Sequence, residues 1–131
     1  FFPTWPDMNG EYLPGVLLDG AHWKLERCVQ YDTNPIMPSL IQFLHRNTAY
    51  LIAILVAFFA WKILREGLPL LARNSAKALL AVLSLQILLG ILTVIHCKAS
   101  IPVDLGVAHQ AVAVLLLSTI LWMCFQLRNK G

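Results

Sequence analysis

Three long apolar segments constrain the fold of this chain more than any other feature of its sequence. Residues 78–95 form an uncharged stretch of 18, residues 105–127 form one of 23, and residues 39–64 are apolar over most of their length. As a helix with a rise of about 1.5 Å per residue, each segment is long enough to cross a hydrocarbon core about 30 Å thick. The sequence therefore predicts an all-α membrane protein with three transmembrane helices.

The composition of the chain agrees with a membrane location. Of its 131 residues, 58% are hydrophobic and 13% are charged, whereas a soluble domain has about 45–50% and about 25%. The formal net charge of +3 is small and the basic residues cluster at predicted helix ends. Membrane lipid is therefore an expected partner and nucleic acid is not. The chain opens on Phe1 rather than Met, which suggests a fragment or a processed product.

The three spans divide the chain into seven segments, of which the first is an acidic arm rich in proline, glycine and aromatic residues. Ser39, which follows Pro38, is the predicted N-cap of the first transmembrane helix. The predicted segments are the arm (1–38), span one (39–64), an inner loop (65–77), span two (78–95), an outer loop (96–104), span three (105–127) and an inner tail (128–131).

Charges flanking the spans predict the orientation in the membrane. One side has only Glu66 to oppose its six cations, which are Lys62, Arg65, Arg73, Lys77, Arg128 and Lys130. The other side has Lys24, Arg27 and Lys98 together with the acidic arm. The positive-inside rule then places the 65–77 loop and the tail in the cytoplasm or matrix, and the arm in the periplasm or intermembrane space. The expected location is a bacterial plasma membrane or a mitochondrial inner membrane.

The three cysteines do not form a recognisable metal-binding motif. Cys28 and Cys97 fall on the same predicted side of the membrane, whereas Cys124 lies deep in span three. A disulfide between Cys28 and Cys97 is one reading if that side is oxidising, and two unrelated loop thiols are the other.

Two histidines, His45 and His109, lie just inside the outer ends of spans one and three. His45 comes six residues after Ser39 and His109 five after Asp104, which places both imidazoles about 8–9 Å below the same membrane edge. An ionisable side chain in a span is costly, so it usually faces the bundle interior and has a function. Small residues, which let a helix or a flat macrocycle approach closely, accompany both histidines: Ala49, Ala53, Ala57, Gly106 and Ala113.

Each histidine could simply hydrogen-bond a neighbouring helix. Equal depth and the small neighbours favour shared ligation of a flat metal cofactor instead, because neutral imidazole is the common axial ligand of haem iron. Zinc would need a third or fourth ligand, and no other His or acidic residue lies at that depth. We therefore expect His45 and His109 to ligate haem iron, and no catalytic residue is assigned.

Two polar residues follow the histidines directly and are candidates for cofactor binding. Arg46 either pairs with a haem propionate or extends to the outer interface. Gln110 either orients a ligand or bonds another helix. The polar and small residues of span two that share one face, and should look into the bundle, are Gln86, Gly90, Thr93 and Cys97.

Several short motifs occur in order around the three spans. They are Phe2-Pro3, Asn9-Gly10 and Pro14 in the arm, QFLHR at 42–46, QILLGILTV at 86–94 and PVDLGVAHQ at 102–110. In this order they resemble the C-terminal half of haem A synthase, which oxidises the C8 methyl group of haem O to a formyl group. That family has eight helices in two similar four-helix halves, each with a pair of haem-ligating histidines.

The resemblance implies that the three spans are part of a four-helix haem-binding half, in which His45 and His109 hold a b-type haem. Five of the family's eight helices would then be absent from this chain, and its partner would be the missing N-terminal half. A second copy of the chain, as a homo-oligomer, or lipid could instead cover the small-residue faces. We expect part of an oxidoreductase for cytochrome oxidase assembly that does not form haem A alone. Two other functions stay open: a small membrane cytochrome b that carries electrons, and a haem-free structural subunit of a membrane complex.

Overall fold

Helices make up most of the protein. The computed structural model describes residues 2–29, 33–98, 100 and 102–128, without the side chains of His22 and Cys28. Two 3-10 turns (Gly15–Leu17 and Gly20–His22) and a short helix α1 (Leu25–Val29) precede three long helices, α2 (Ile36–Arg65), α3 (Leu70–His96) and α4 (Val103–Arg128). The described residues contain no strand. All three long helices are long and apolar enough to cross a membrane, which confirms the predicted all-α fold with three spans.

Helix α2 begins before the predicted span. Its first residue is Ile36, whose backbone N–H donates to the side-chain oxygen of Asn34 at 3.2 Å. Pro38 is accommodated in the first turn, because the first N–H groups of a helix have no partner inside the helix. Ser39 is therefore not the N-cap that the sequence predicted. Its side chain is buried within the first turn and donates to the carbonyl of Pro35 at 2.5 Å.

The connection between α2 and α3 is shorter than the predicted inner loop. Helix α3 begins at Leu70, so residues 70–77 form its first two turns rather than a loop. The chain reverses over residues 66–69, where Gly67 has a positive φ of 61° and Pro69 precedes the new helix. The cations Arg73 and Lys77 are exposed on α3. Where the membrane boundaries cross these helices stays a prediction, and residues 129–131 of the predicted tail lie outside the described residues.

The helices pack around a small core near the ends that were predicted to lie inside. α3 runs antiparallel between its neighbours and packs most extensively on α4, less on α2, whereas α2 and α4 are at most in marginal contact within the described residues. The buried cluster consists of Ala60, Ile63, Ala76, Leu79, Leu83, Leu116 and Met123. At the opposite end no such cluster joins α2 to α4 among the described residues, so the described bundle is open between these two helices.

The first part of the arm is folded against the outer end of α2. Asn9 and Gly10 have positive φ angles of 59° and 91°, as an Asn-Gly turn requires. The N–H of Met8 donates to the carbonyl of Glu11 across this turn at 2.7 Å. Met8 is 2% exposed, so the turn is packed against the helix rather than extended into solvent.

Candidate functional site

The structure brings His45 and His109 together at the open end of the bundle. Their ring centroids are 6.4 Å apart and their ring planes are inclined by 75°. His45 projects from α2 and is exposed, while His109 projects from α4 and is half-buried. Because both helices run antiparallel to α3, they share a direction, and the histidines lie at one level as their spacing predicted.

Helix α3 holds the imidazole of His109 from one side. Gly90 lies so close to this ring that a Cβ atom at residue 90 would be 2.9 Å from its Cε1 atom. One turn earlier, the Nε2 atom of Gln86 is 3.3 Å from the Nε2 atom of His109. The face of α3 that was predicted to look into the bundle therefore meets His109 through Gln86 and Gly90. Thr93, on the same face, donates to the carbonyl of Leu89 in its own helix at 2.7 Å.

Two polar atoms at this contact are buried without a hydrogen-bond partner among the described residues. They are the Nδ1 atom of His109 and the Oε1 atom of Gln86. Nearly all buried polar atoms in proteins have a partner, and an exception calls for an explanation such as an ion or a ligand. Both atoms belong to the side chains that meet beside the open end of the bundle.

The separation of the two ring centroids is the one expected for two imidazoles on one metal ion, and the nitrogen-bearing edge of His109 faces α3. Metal–nitrogen bonds of about 2.0–2.1 Å put the two ligating nitrogens about 4 Å apart, and the ring radii bring the centroids to about 6 Å. The observed 6.4 Å lies close to that distance. No group of three or more His, Cys, Asp or Glu side chains is arranged to hold a metal ion within the described part of the chain.

Arg46 has a different set of partners from the ones its sequence position suggested. Its guanidinium donates to the backbone carbonyls of Phe2 and Thr4 at 2.9 and 2.7 Å, and also to that of Asp7. The residue is 7% exposed, so it lies beneath the arm rather than extending to the interface. Its Nε atom has no partner among the described residues. A contact between Arg46 and a haem propionate stays a prediction.

Other polar residues on the outer end of α2 also bind the arm. The side-chain amide of Gln42 accepts from the backbone N–H of Phe2 at 3.1 Å and donates to its carbonyl at 2.8 Å. The hydroxyl of Tyr12 donates to Asn47 at 2.7 Å. Sequence reasoning missed this attachment, and the signal that could have shown it is the polar stripe Gln42, Arg46, Asn47 and Tyr50 at helical spacing in an otherwise apolar span.

The remaining predicted residues lie away from the histidine pair. Gln110 is exposed on α4, and no hydrogen bond joins its side chain to another described residue, so its role in orienting a ligand stays a prediction. Cys97 and Cys124 are free thiols. The side chain of Cys28 lies outside the described part of the chain. Its pairing with Cys97 therefore stays a prediction.

Fold and site together define a class of protein: an integral membrane protein of long apolar helices, with a histidine from each of two spans meeting at one end of the bundle. The chain belongs to the cytochrome oxidase assembly protein family COX15-CtaA, whose profile matches residues 1–121. The family resemblance predicted from the sequence motifs is thereby confirmed.

Curated relatives support the same assignment. Haem A synthase from Paracoccus denitrificans is 35% identical over 121 residues, which cover 92% of this chain and 29% of the relative. Haem A synthase from Nitrosospira multiformis is 34% identical over 129 residues, covering 98% of this chain and 33% of the relative. Haem A synthase from Flavobacterium psychrophilum is 42% identical over 79 residues, or 60% and 22% of the two chains. No solved structure matches the chain.

The chain spans a third or less of the length of these relatives. Similarity to them therefore extends to a part of each enzyme and not to the whole.

Proposed function

We propose that this chain is the haem-b-binding portion of a haem A synthase, with His45 and His109 as the two axial ligands of the haem iron. The observation that carries the proposal is the pair of imidazoles with ring centroids 6.4 Å apart on two different helices. Gly90 also supports the proposal, because any side chain at residue 90 would meet the ring of His109. A haem held in this way supplies one-electron transfer, and the protein determines its position and its surroundings.

The proposal includes a dependence on further helices. His45 is exposed in this bundle and the side between α2 and α4 is open, while a bundle that encloses a cofactor generally takes about four helices. The N-terminal half of the enzyme would cover this side, and a second copy of the chain or lipid are the alternatives. One histidine pair would hold one haem through both of its imidazoles, and an iron bound in this way would have no open position. We therefore infer that the chain does not form haem A by itself.

An absorption spectrum of the purified chain loaded with haem b tests the proposed ligands. We expect the spectrum of a low-spin haem with two axial imidazoles, and we expect His45→Gly and His109→Gly each to abolish it. Free imidazole added to either variant should restore it, because the lost side chain was a ligand rather than a structural support. His96→Gly is the matched control, since this exposed histidine bonds the carbonyl of Leu92 in its own helix.

Two outcomes would refute the ligand assignment. A haem spectrum that survives either glycine substitution would place the ligands elsewhere. A wild-type chain that binds no haem, even together with the other half of the enzyme, would favour a haem-free structural subunit.

We also propose that the arm faces the periplasm or intermembrane space and that the connection between α2 and α3 faces the cytoplasm or matrix. The cations that flank that connection support this orientation: Arg65, at the end of α2, lies over the ring of Trp61 at 4.7 Å, and Arg73 and Lys77 are exposed at the start of α3. The histidine pair would then lie near the outer face of the membrane.

Labelling of single cysteines in intact cells or mitoplasts tests the orientation. In a chain whose three native cysteines are replaced, Ala21→Cys should react with an impermeant thiol reagent and Asn74→Cys should not, since both positions are exposed. Labelling after permeabilisation is the control for accessibility. The opposite pattern would reverse the topology and move the histidine pair to the inner face.

A further inference from the structure

The side-chain amide of Gln86 makes a contact that the ligand assignment does not use. At 3.3 Å from His109, it forms the one side-chain hydrogen bond that joins two of the long helices within the described residues. A polar group that is buried between helices in a membrane needs a hydrogen-bond partner within the protein, since lipid offers none. A glutamine at this position is therefore coupled to the chemical state of the ring that it touches.

The contact restrains the ring in two ways. Gly90 lies against the Cε1 edge of the imidazole, where a Cβ atom added at residue 90 would be 2.9 Å from Cε1. Gln86 contacts the Nε2 atom of the same ring. The two residues are four apart and hence on the same face of α3, one turn from each other. Rotation of the ring would either collide with residue 90 or break the bond to Gln86.

The orientation of the amide is also coupled to the tautomer of the imidazole. A neutral imidazole has one N–H donor and one bare acceptor nitrogen, and the hydrogen bond of one nitrogen decides the state of the other. If the amide NH2 of Gln86 donates, the Nε2 atom of His109 is bare and the proton lies on Nδ1. If the amide is turned so that Oε1 accepts, the proton lies on Nε2 and Nδ1 is bare. The orientation of the amide decides the hydrogen-bonding role of the two buried atoms without a partner, which are Oε1 of Gln86 and Nδ1 of His109.

We propose that Gln86 is a positioning residue for His109, which holds the orientation of this imidazole and changes the balance of its two tautomers through the side-chain amide. The effect of Gln86 on a bound haem rests on the proposed function, whereas its effect on the imidazole of His109 does not. Hydrogen-bond partners of ligating histidines orient the ring and raise its basicity as a ligand. Gln86 would thus influence the haem without touching it.

Ring-nitrogen NMR of the haem-free chain, labelled with 15N-histidine, tests the effect on the imidazole. Gln86→Leu removes both hydrogen-bonding atoms and should shift the ratio of the two tautomers of His109. Thr93→Val is the matched control on the same face of α3, because the Thr93 hydroxyl bonds only its own helix. Ring-nitrogen signals of His109 that are identical in wild type and Gln86→Leu would overturn the proposal, whether or not the chain binds haem.

Redox titration of the haem-loaded chain tests the effect on the cofactor. Gln86→Leu should weaken haem binding by about 10- to 100-fold, as the loss of such a partner typically does, and should raise the midpoint potential. Gln86→Glu, an acceptor stronger than the amide, should retain haem and lower the potential, because a more basic imidazole stabilises ferric iron. Equal potentials in wild type and both variants would overturn the role toward haem. If instead the wild type binds no haem, the proposed function fails while the NMR result still decides the inference.

Discussion

A methyl group added at residue 90 should weaken haem binding and leave α3 at least as stable as before. In Gly90→Ala the new Cβ would be 2.9 Å from the Cε1 atom of His109, whereas ordinary carbon contacts are about 3.5–4.0 Å. The ring therefore has to move by about half an ångström or more to restore that distance. Because alanine is about 1 kcal/mol more favourable than glycine inside a helix, the helix itself gains from the same change.

The two effects can be separated by measuring haem affinity and thermal unfolding on the same samples. We expect affinity to fall roughly tenfold in Gly90→Ala, as for other residues that orient a ligand, and further in Gly90→Val. Gly106→Ala adds the same group to α4 at a point with no described neighbour within 4 Å, and so shows the effect of a methyl group that does not press on the ring of His109. Wild-type affinity in Gly90→Val would show that the ring of His109 does not have to lie against residue 90.

Loss of the guanidinium at residue 46 should release the arm from α2. Arg46 is buried and donates to three carbonyls of the arm, those of Phe2, Thr4 and Asp7. Hydrogen bonds to charged groups contribute about 1.5–3 kcal/mol each, so losing them in Arg46→Met should favour the open arm by roughly 100-fold or more. Hydrogen exchange of the backbone amide of Met8, which is bonded across the Asn9-Gly10 turn, measures this opening.

Two further variants define what Arg46 does. Arg46→Lys retains the charge but not the forked donors, and should lie between wild type and Arg46→Met. Tyr12→Phe removes one exposed hydrogen bond to Asn47 and should change exchange by less than tenfold. Unchanged protection of Met8 in Arg46→Met would refute the anchoring role. If that variant also altered the haem spectrum, Arg46 or the arm that it anchors would influence the haem.

The helical spans were predictable because their signal is local. A stretch such as residues 78–95 is apolar throughout, and in lipid only a helix of that length satisfies its backbone. The ends of the helices are harder to predict, since residues 70–77, which the sequence predicts as part of a loop, form the first two turns of α3. Polarity indicates where a segment leaves the membrane, but a helix continues until a residue such as Gly67 ends it.

The histidine pair could be predicted from spacing, whereas the surroundings of the pair could not. The depth of His45 and His109 follows from counting residues along parallel helices. The contact of Gln86 with His109 depends on how α3 is rotated and shifted against α4, which no single segment encodes. The predicted face of α3 contained the residues that make the contact, without indicating that Gln86 would be the one to bond the ring.

The sequence by itself determined the class of fold, the number of spans and the equal depth of two histidines, because hydrophobic length and helical rise act residue by residue along one segment. Only the tertiary structure decided which atoms meet. The arm is distant from α2 in sequence, yet three of its carbonyls surround Arg46, and Gly90 faces a ring from the next helix. Such contacts arise when whole helices and the arm pack against each other. Gly90, Gln86 and Arg46 then meet residues that are distant from them in the sequence.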